Sequence, residues 1–281
     1  MKKHVITAIA LLTFGAGTLL SSAANASPME DQKSFQEFFK KRFKDTEFSD
    51  YKNGIYSIHP ESRKQWEEIE DFPPYEIAVE RGEELWNTAF TNGKTYADCF
   101  GEDVTAVRAK YPHYDAENDT IATLEDDINK CRTANGEKPF GWKKGAIADL
   151  SSYIAYEGRD APVNVKLPES EKEIAWYEKG KTFFYAKRGQ LNMACADCHV
   201  YYSGRMARSE TLSPALGHPT HFPVYRSKWG NMGTLHRRYA GCNENIRAKG
   251  FKAQSDEYKA LEYFQTFMSN GLAFNGPGAR K

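Results

Sequence analysis

Net charge, hydrophobic length and cysteine are each in short supply in this sequence. Its 38 Lys and Arg are balanced by 38 Asp and Glu, for a formal charge of zero. That balance excludes a global field of the kind that collects nucleic acid. Beyond the first twenty residues, no stretch approaches the roughly 20 apolar residues that a spanning helix requires. Cysteine is limited to five residues in 281, so each one has to be accounted for. No segment reads as an output domain, which argues against a sensor.

The beginning of the chain carries the only long apolar run. Met1-Lys2-Lys3 forms a positive start, Val5 to Leu20 is apolar apart from small or hydroxyl residues, and Ala24-Asn25-Ala26 has the small-x-small pattern of a cleavage site. Residues 1–26 are expected to be a secretory signal peptide cleaved near Ala26, with no membrane anchor in the mature chain. Residues 27–281 then form an exported protein of about 255 residues, enough for two domains. Loss of Lys2 and Lys3 leaves a charge of about −2. Its distribution is uneven: between Tyr225 and Lys252 there are seven Lys or Arg against one acid, Glu244. Such a run is either a solvated face or an electropositive mouth that attracts an anion.

Chemistry is announced by Cys195-Ala-Asp-Cys198-His199. A C-x-x-C-H run is the attachment site of a c-type haem. Its two thiols add to the porphyrin as thioethers, and the adjacent His lies beneath the iron as proximal ligand. Such a protein is completed outside the cytoplasm, and the bacterial periplasm is the expected location. With Cys195 and Cys198 so used, Cys99, Cys131 and Cys242 remain, and an oxidising compartment favours one disulfide and one odd thiol.

An internal repeat indicates which cysteine is odd. Tyr96-Ala-Asp-Cys99-Phe100 aligns with Cys195-Ala-Asp-Cys198-His199, with Tyr96 in place of the first haem cysteine and Phe100 in place of the histidine. Gly82 precedes Cys99 by 17 residues and Gly180 precedes Cys198 by 18. Cys131 and Cys242 are each followed by Phe after nine residues and by Leu after nineteen, Leu150 and Leu261. The chain therefore reads as a duplicated domain, 27–164 and 165–281, whose first copy has lost its haem. If position 131/242 faces the iron from the distal side, Cys99 and Cys131 would meet across the vacated pocket as a disulfide. Closing that loop of 32 residues would contribute about 3–4 kcal/mol.

The expected fold is mainly α: two tandem cytochrome c-like domains with long loops. Phe35, Phe38, Phe39 and Phe43 recur at helical spacing, as do Ile121, Leu124 and Ile128, then Ile147, Leu150 and Ile154. Ser170 with Glu173 predicts a capping box, and Asp256 to Asn270 a last helix stopped by Gly271. Segments 101–118 and 200–235 read as structured loops, and Asp160 to Pro168 as a linker.

The iron's second axial position has several candidates. Met206, Met232 or Met268 would suit an electron carrier, His218, His221 or His236 would give bis-histidine ligation, and Cys242 would lower the potential. His59 and His113 fall in the copy without a haem motif and read as structural or surface residues. A thiolate among cations is nucleophilic. Arg238, four residues before Cys242, shares its side if the segment is helical, and Arg247 and Lys249 are weaker additions.

At Arg238-Tyr-Ala-Gly-Cys242-Asn-Glu-Asn-Ile-Arg247, together with C-x-x-C-H and the duplication, the chain resembles the SoxA family, catalytic cytochromes of the SoxAX complex of bacterial sulfur oxidation. Departures at Tyr96 and Phe100 match the single-haem type. The resemblance implies an L-cysteine S-thiosulfotransferase that joins thiosulfate to a cysteine of the carrier SoxYZ and passes electrons to the small cytochrome subunit SoxX. It also implies that Cys242 is the distal ligand and carries a persulfide, and that Arg238 binds substrate. The competing reading is a plain electron-transfer cytochrome without covalent sulfur chemistry. Intact mass of the mature protein is expected to show one haem and one disulfide per chain; two haems or a free Cys99 would contradict the single-haem reading.

Overall fold

The computed structural model describes residues 26–280. The expected signal peptide, apart from its last residue, lies outside the described residues. In chain order, α1 is Pro28–Arg42, α2 Pro60–Glu70, α3 Glu76–Asn87 and α4 the short Ala97–Phe100. Strands β1 (His113–Asp115) and β2 (Thr120–Ala122) precede α5 (Leu124–Ala134) and α6 (Ala146–Glu157). The second half starts with α7 (Glu171–Tyr185), followed by β3 (Met206–Ala207), β4 (Glu210–Thr211), β5 (Val224–Arg226) and β6 (Asn231–Gly233). It closes with α8 (Leu235–Asn245), α9 (Asp256–Met268) and β7 (Gly278–Arg280). The fold is mainly α.

Each half is built on one close helix crossing. In the first half α3 crosses α6 at Gly82, where a Cβ would overlap the Asp149 carbonyl and approach Tyr153 Cβ to 2.7 Å. In the second, α7 crosses α9 at Gly180, where a Cβ would overlap the Ala260 carbonyl and approach Phe264 Cβ to 2.7 Å. Residues 149 and 153 correspond to 260 and 264 in the register that relates Cys131 to Cys242. The same register continues upstream. The β1–β2 hairpin leads through Thr123 into α5, and β5–β6 leads through Thr234 into α8, with matched pairs His113 to Ala122 and Val224 to Gly233.

These hairpins correct the reading of 101–118 and 200–235 as loops. Their strands are three residues long, too short to display an alternating pattern. They close through left-handed residues at equivalent places, Asp119 (φ 47°) and Gly230 (φ 64°). Ile121 correspondingly lies on β2, not in a helix, because Thr123 accepts from Asp126 N and starts α5 after it. The capping box at Ser170 and Glu173 is present at the start of α7. The segment 160–168 is packed rather than free: Val163 and Val165 are buried, and Val163 N donates to the Leu272 carbonyl.

The start of the chain joins the other half's core. Phe35, Phe39 and Tyr51 pack with Tyr177, Phe184, Phe264 and Phe267. Gln36 donates to the Met268 and Asn270 carbonyls, and Tyr177 donates to Asp31. Tyr96 and Phe100 are buried in the first half's core, where Trp86 lies 6.1 and 6.0 Å from their rings and Phe90 lies 4.9 Å from Tyr96. Cys99 and Cys131 are joined as a disulfide beside them.

The two halves meet along α5, α8 and α9. Lys259 Nζ on α9 lies 2.7 Å from Asp126 on α5. Burial and then the neighbouring Glu262 push the Glu125 carboxyl up, and Arg108 lies 4.0 Å over the Phe274 ring. Thr234, at the start of α8, donates to the carbonyls of Trp142 and Lys143 in the first half.

Alanine at an ordinary mid-helix glycine stabilises a helix by up to about 1 kcal/mol. At Gly82 or Gly180 the sign is expected to reverse, with a loss of about 1–3 kcal/mol visible as a lower Tm in thermal melts. The double change Cys99→Ser with Cys131→Ser is expected to cost about 3–4 kcal/mol in denaturant titrations.

Candidate functional site

The haem-motif residues sit on a widened turn. Asp197–Tyr201 is one turn of π-helix, a form that recurs at functional sites because it displaces side chains from regular helical spacing. Asp197 accepts from Ala194 N at 2.8 Å and fixes the start of this turn. His199 Nδ1 donates to the Ser213 carbonyl at 2.9 Å. That bond selects the tautomer with a free lone pair on Nε2, the arrangement a metal-binding imidazole needs.

Facing His199 is the last turn of α8. Arg238 and Cys242 are four residues apart on this helix and share a face. Burial alone would raise the Cys242 thiol, but Arg238, the neighbouring His199 ring and Arg226 outweigh it and bring it down to about 7. The other two free thiols behave oppositely. Burial pushes Cys195 up to about 12 and also raises Cys198. Among three neighbouring cysteines, only Cys242 is thus shifted toward the thiolate.

Arg226 is the member that sequence reasoning missed. It lies 16 residues before Cys242, at the end of β5, and only the hairpin turn folds it back toward α8. The residue is buried, with Nη2 3.3 Å from the exposed Glu210 carboxylate and the guanidinium 5.7 Å from the Trp229 ring. Burial, and then Arg238, weaken its hold on its proton. Two guanidinium groups of like charge are therefore brought near one thiol. An excess of cations over acids between 225 and 252 was the only sequence signal for it. Arg247 is not part of this arrangement: it lies beyond α8, exposed, with φ 57°, and its carbonyl accepts from Gln190 N.

The remaining ligand candidates make other contacts. Met206 is exposed, Met232 packs in the first half's core and Met268 in the second's. His236 pairs with Glu262, and His221 stacks on Phe222. His218 packs edge-on against His199 with ring centroids 4.3 Å apart. Burial and then the His199 ring push it well below the usual imidazole range. In the first half, His59 caps α2 through Ser62 N, and His113 Nδ1 lies 3.1 Å from the Lys110 carbonyl.

The donor set suits a c-type haem. Two unpaired cysteines stand beside a histidine with its Nε2 lone pair free, and a third cysteine stands on α8. Cys195 and Cys198 would hold the porphyrin, and His199 and Cys242 would be placed to ligate its iron.

A family model described as SoxA/TsdA, cytochrome c domain, matches residues 81–163. The chain is 52% identical to the L-cysteine S-thiosulfotransferase subunit SoxA of Allochromatium vinosum, over 100% of both chains. It is 57% identical to that of Chlorobaculum tepidum, over 89% of this chain and 87% of the relative. Among solved structures, SoxXA from P. pantotrophus superposes with a TM-score of 0.71 at 34% identity, covering 78% of this chain and 84% of that one. With such identity along its whole length, and a cytochrome c domain, the chain belongs to the SoxA family of L-cysteine S-thiosulfotransferase subunits.

Proposed function

We propose that this chain is the catalytic cytochrome subunit of a periplasmic enzyme that oxidatively conjugates thiosulfate to a cysteine on a SoxYZ-like carrier protein, in partnership with a SoxX-like cytochrome. Cys195 and Cys198 would hold one haem c covalently, His199 and Cys242 would ligate its iron, and the domain containing Tyr96 and Phe100 would carry none. The observation that carries the reading is the placement of Cys242 on α8, one helical turn from Arg238 and with buried Arg226 and His199 as neighbours, which favours its thiolate. A plain electron carrier has no use for an acidified thiol beside two arginines.

The residues divide the work. Arg238 and Arg226 receive the thiosulfate dianion; guanidinium forks match its oxyanion end. Cys242 supplies the sulfur through which the group is transferred, as thiolate or persulfide. Overall a carrier thiolate and the outer sulfur of thiosulfate form one S–S bond. The product is a cysteine S-thiosulfonate and two electrons are released, so charge balances at −3 on each side. Bound haem would supply a one-electron redox centre next to the sulfur, and the SoxX-like partner would accept the electrons. Ser213 holds His199 in the ligating tautomer, and Cys195 and Cys198, consumed as thioethers, would leave Cys242 as the free sulfur of the site.

Cys242→Ala is expected to abolish thiosulfate-dependent labelling of the carrier cysteine while the haem remains attached. Undiminished labelling would leave only the electron-carrier reading. Arg226→Met is expected to raise the KM for thiosulfate by about 10- to 100-fold, the loss of one charge-assisted contact, in steady-state assays. An unchanged KM would remove Arg226 from the substrate site.

A further inference from the structure

From His199 a line of polar side chains leads through Ser213 and His218, turns through α9 and ends on α8. Tyr239 OH donates to Gln265 Oε1. The Gln265 amide nitrogen meets His218 Nδ1 at 3.4 Å, and His218 Nε2 meets Ser213 Oγ at 2.9 Å. Ser213 Oγ lies 3.4 Å from His199 Nδ1, and the same residue's carbonyl accepts that nitrogen's proton. The polarity of the line is forced. An amide nitrogen has only hydrogens to give, so His218 Nδ1 accepts and its proton sits on Nε2. That proton then goes to Ser213 Oγ. Every donor points from Tyr239 toward Ser213, so successive bonds polarise one another in the same sense.

The two ends are the significant places. Tyr239 lies one turn before Cys242 and next to Arg238, and Gln265 and Tyr239 are both buried. The intermediate segment is pinned independently: Ala215 N donates to the His199 carbonyl and Gly217 N to Ser269 Oγ. Three segments distant in sequence are therefore locked in one register.

We propose that Ser213, His218, Gln265 and Tyr239 form a one-directional brace that fixes the two axial positions relative to each other, with His218 and Gln265 as positioning residues for the ligand pair. The brace rests on the reading of His199 and Cys242 as the axial ligands. Ligand orientation and the hydrogen bond at a proximal histidine both tune the iron. Cutting the brace therefore alters the haem's electronic signature without removing any ligand.

The test uses the holoprotein with its partner subunit, read by ferric electron paramagnetic resonance and by the midpoint potential. His218→Phe and Gln265→Leu are each expected to retain haem but shift the low-spin g-values and the potential. His218→Gln, which keeps an N–H able to donate to Ser213, is expected to return both toward wild type. Wild-type g-values and potential in both His218→Phe and Gln265→Leu would overturn the brace. Should His218→Phe fail to fold, Tyr239→Phe removes only the first donor and is read against the same two outcomes. Cys242→Ala separates the premise: an unaltered low-spin signature there would overturn the ligand reading itself, whereas an altered one alongside silent brace variants overturns the brace alone.

Discussion

Where α8 is held decides everything at the sulfur site. The helix carries Arg238 and Cys242, yet few of the contacts that fix it are its own. Its first turn is tied to the other half through Thr234 and the carbonyls of Trp142 and Lys143. Its buried face is tied to α9 through His236 and Glu262, and through Asn243, which donates to the Tyr258 hydroxyl. Helix α9 in turn has no freedom, because the α7 crossing at Gly180 brings two backbones into contact with no side chain between them. A thiol held on so constrained a helix can face His199 in one way only, and preorganisation of this kind is what transfer chemistry at a single atom requires.

The duplicated first half supplies this support. Its core is filled with Trp86, Phe90, Tyr96 and Phe100 and stitched by Cys99–Cys131. It keeps the helix crossing and the hairpin of the second half, so it presents α5 and its acidic side chains as a solid wall to α8 and α9. Lys259 on Asp126 and the buried Glu125 near Glu262 belong to that contact. The first helix does the reverse, packing across the second half's core from the other end of the chain. Each half is thus completed by residues from elsewhere in the sequence.

Within the site, charge rather than shape distinguishes the cysteines. Cys195, Cys198 and Cys242 lie close together, and burial acts on all three in the same direction. Arg238 and Arg226 reverse the outcome at Cys242 alone. The cationic neighbours thus single out Cys242 among three nearby cysteines, as the proposed sulfur transfer requires.

Much of this was legible without coordinates. The C-x-x-C-H spacing, the aromatic replacements at Tyr96 and Phe100, and the equivalence of Cys131 with Cys242 are local or periodic signals. Arg238 belongs with them, being one helical turn from Cys242. The hairpins were not legible, since three-residue strands carry no alternation, and for the same reason Ile121 read as helical. Arg226 was hidden because a hairpin turn, not helical spacing, brings it back to the thiol, while Arg247, nearer in sequence, is carried away by the end of α8. Chemistry written in short covalent spacings was set by the sequence alone. The electrostatic field around the thiol was decided only by the tertiary structure, because that field depends on distance through space between segments the chain keeps far apart.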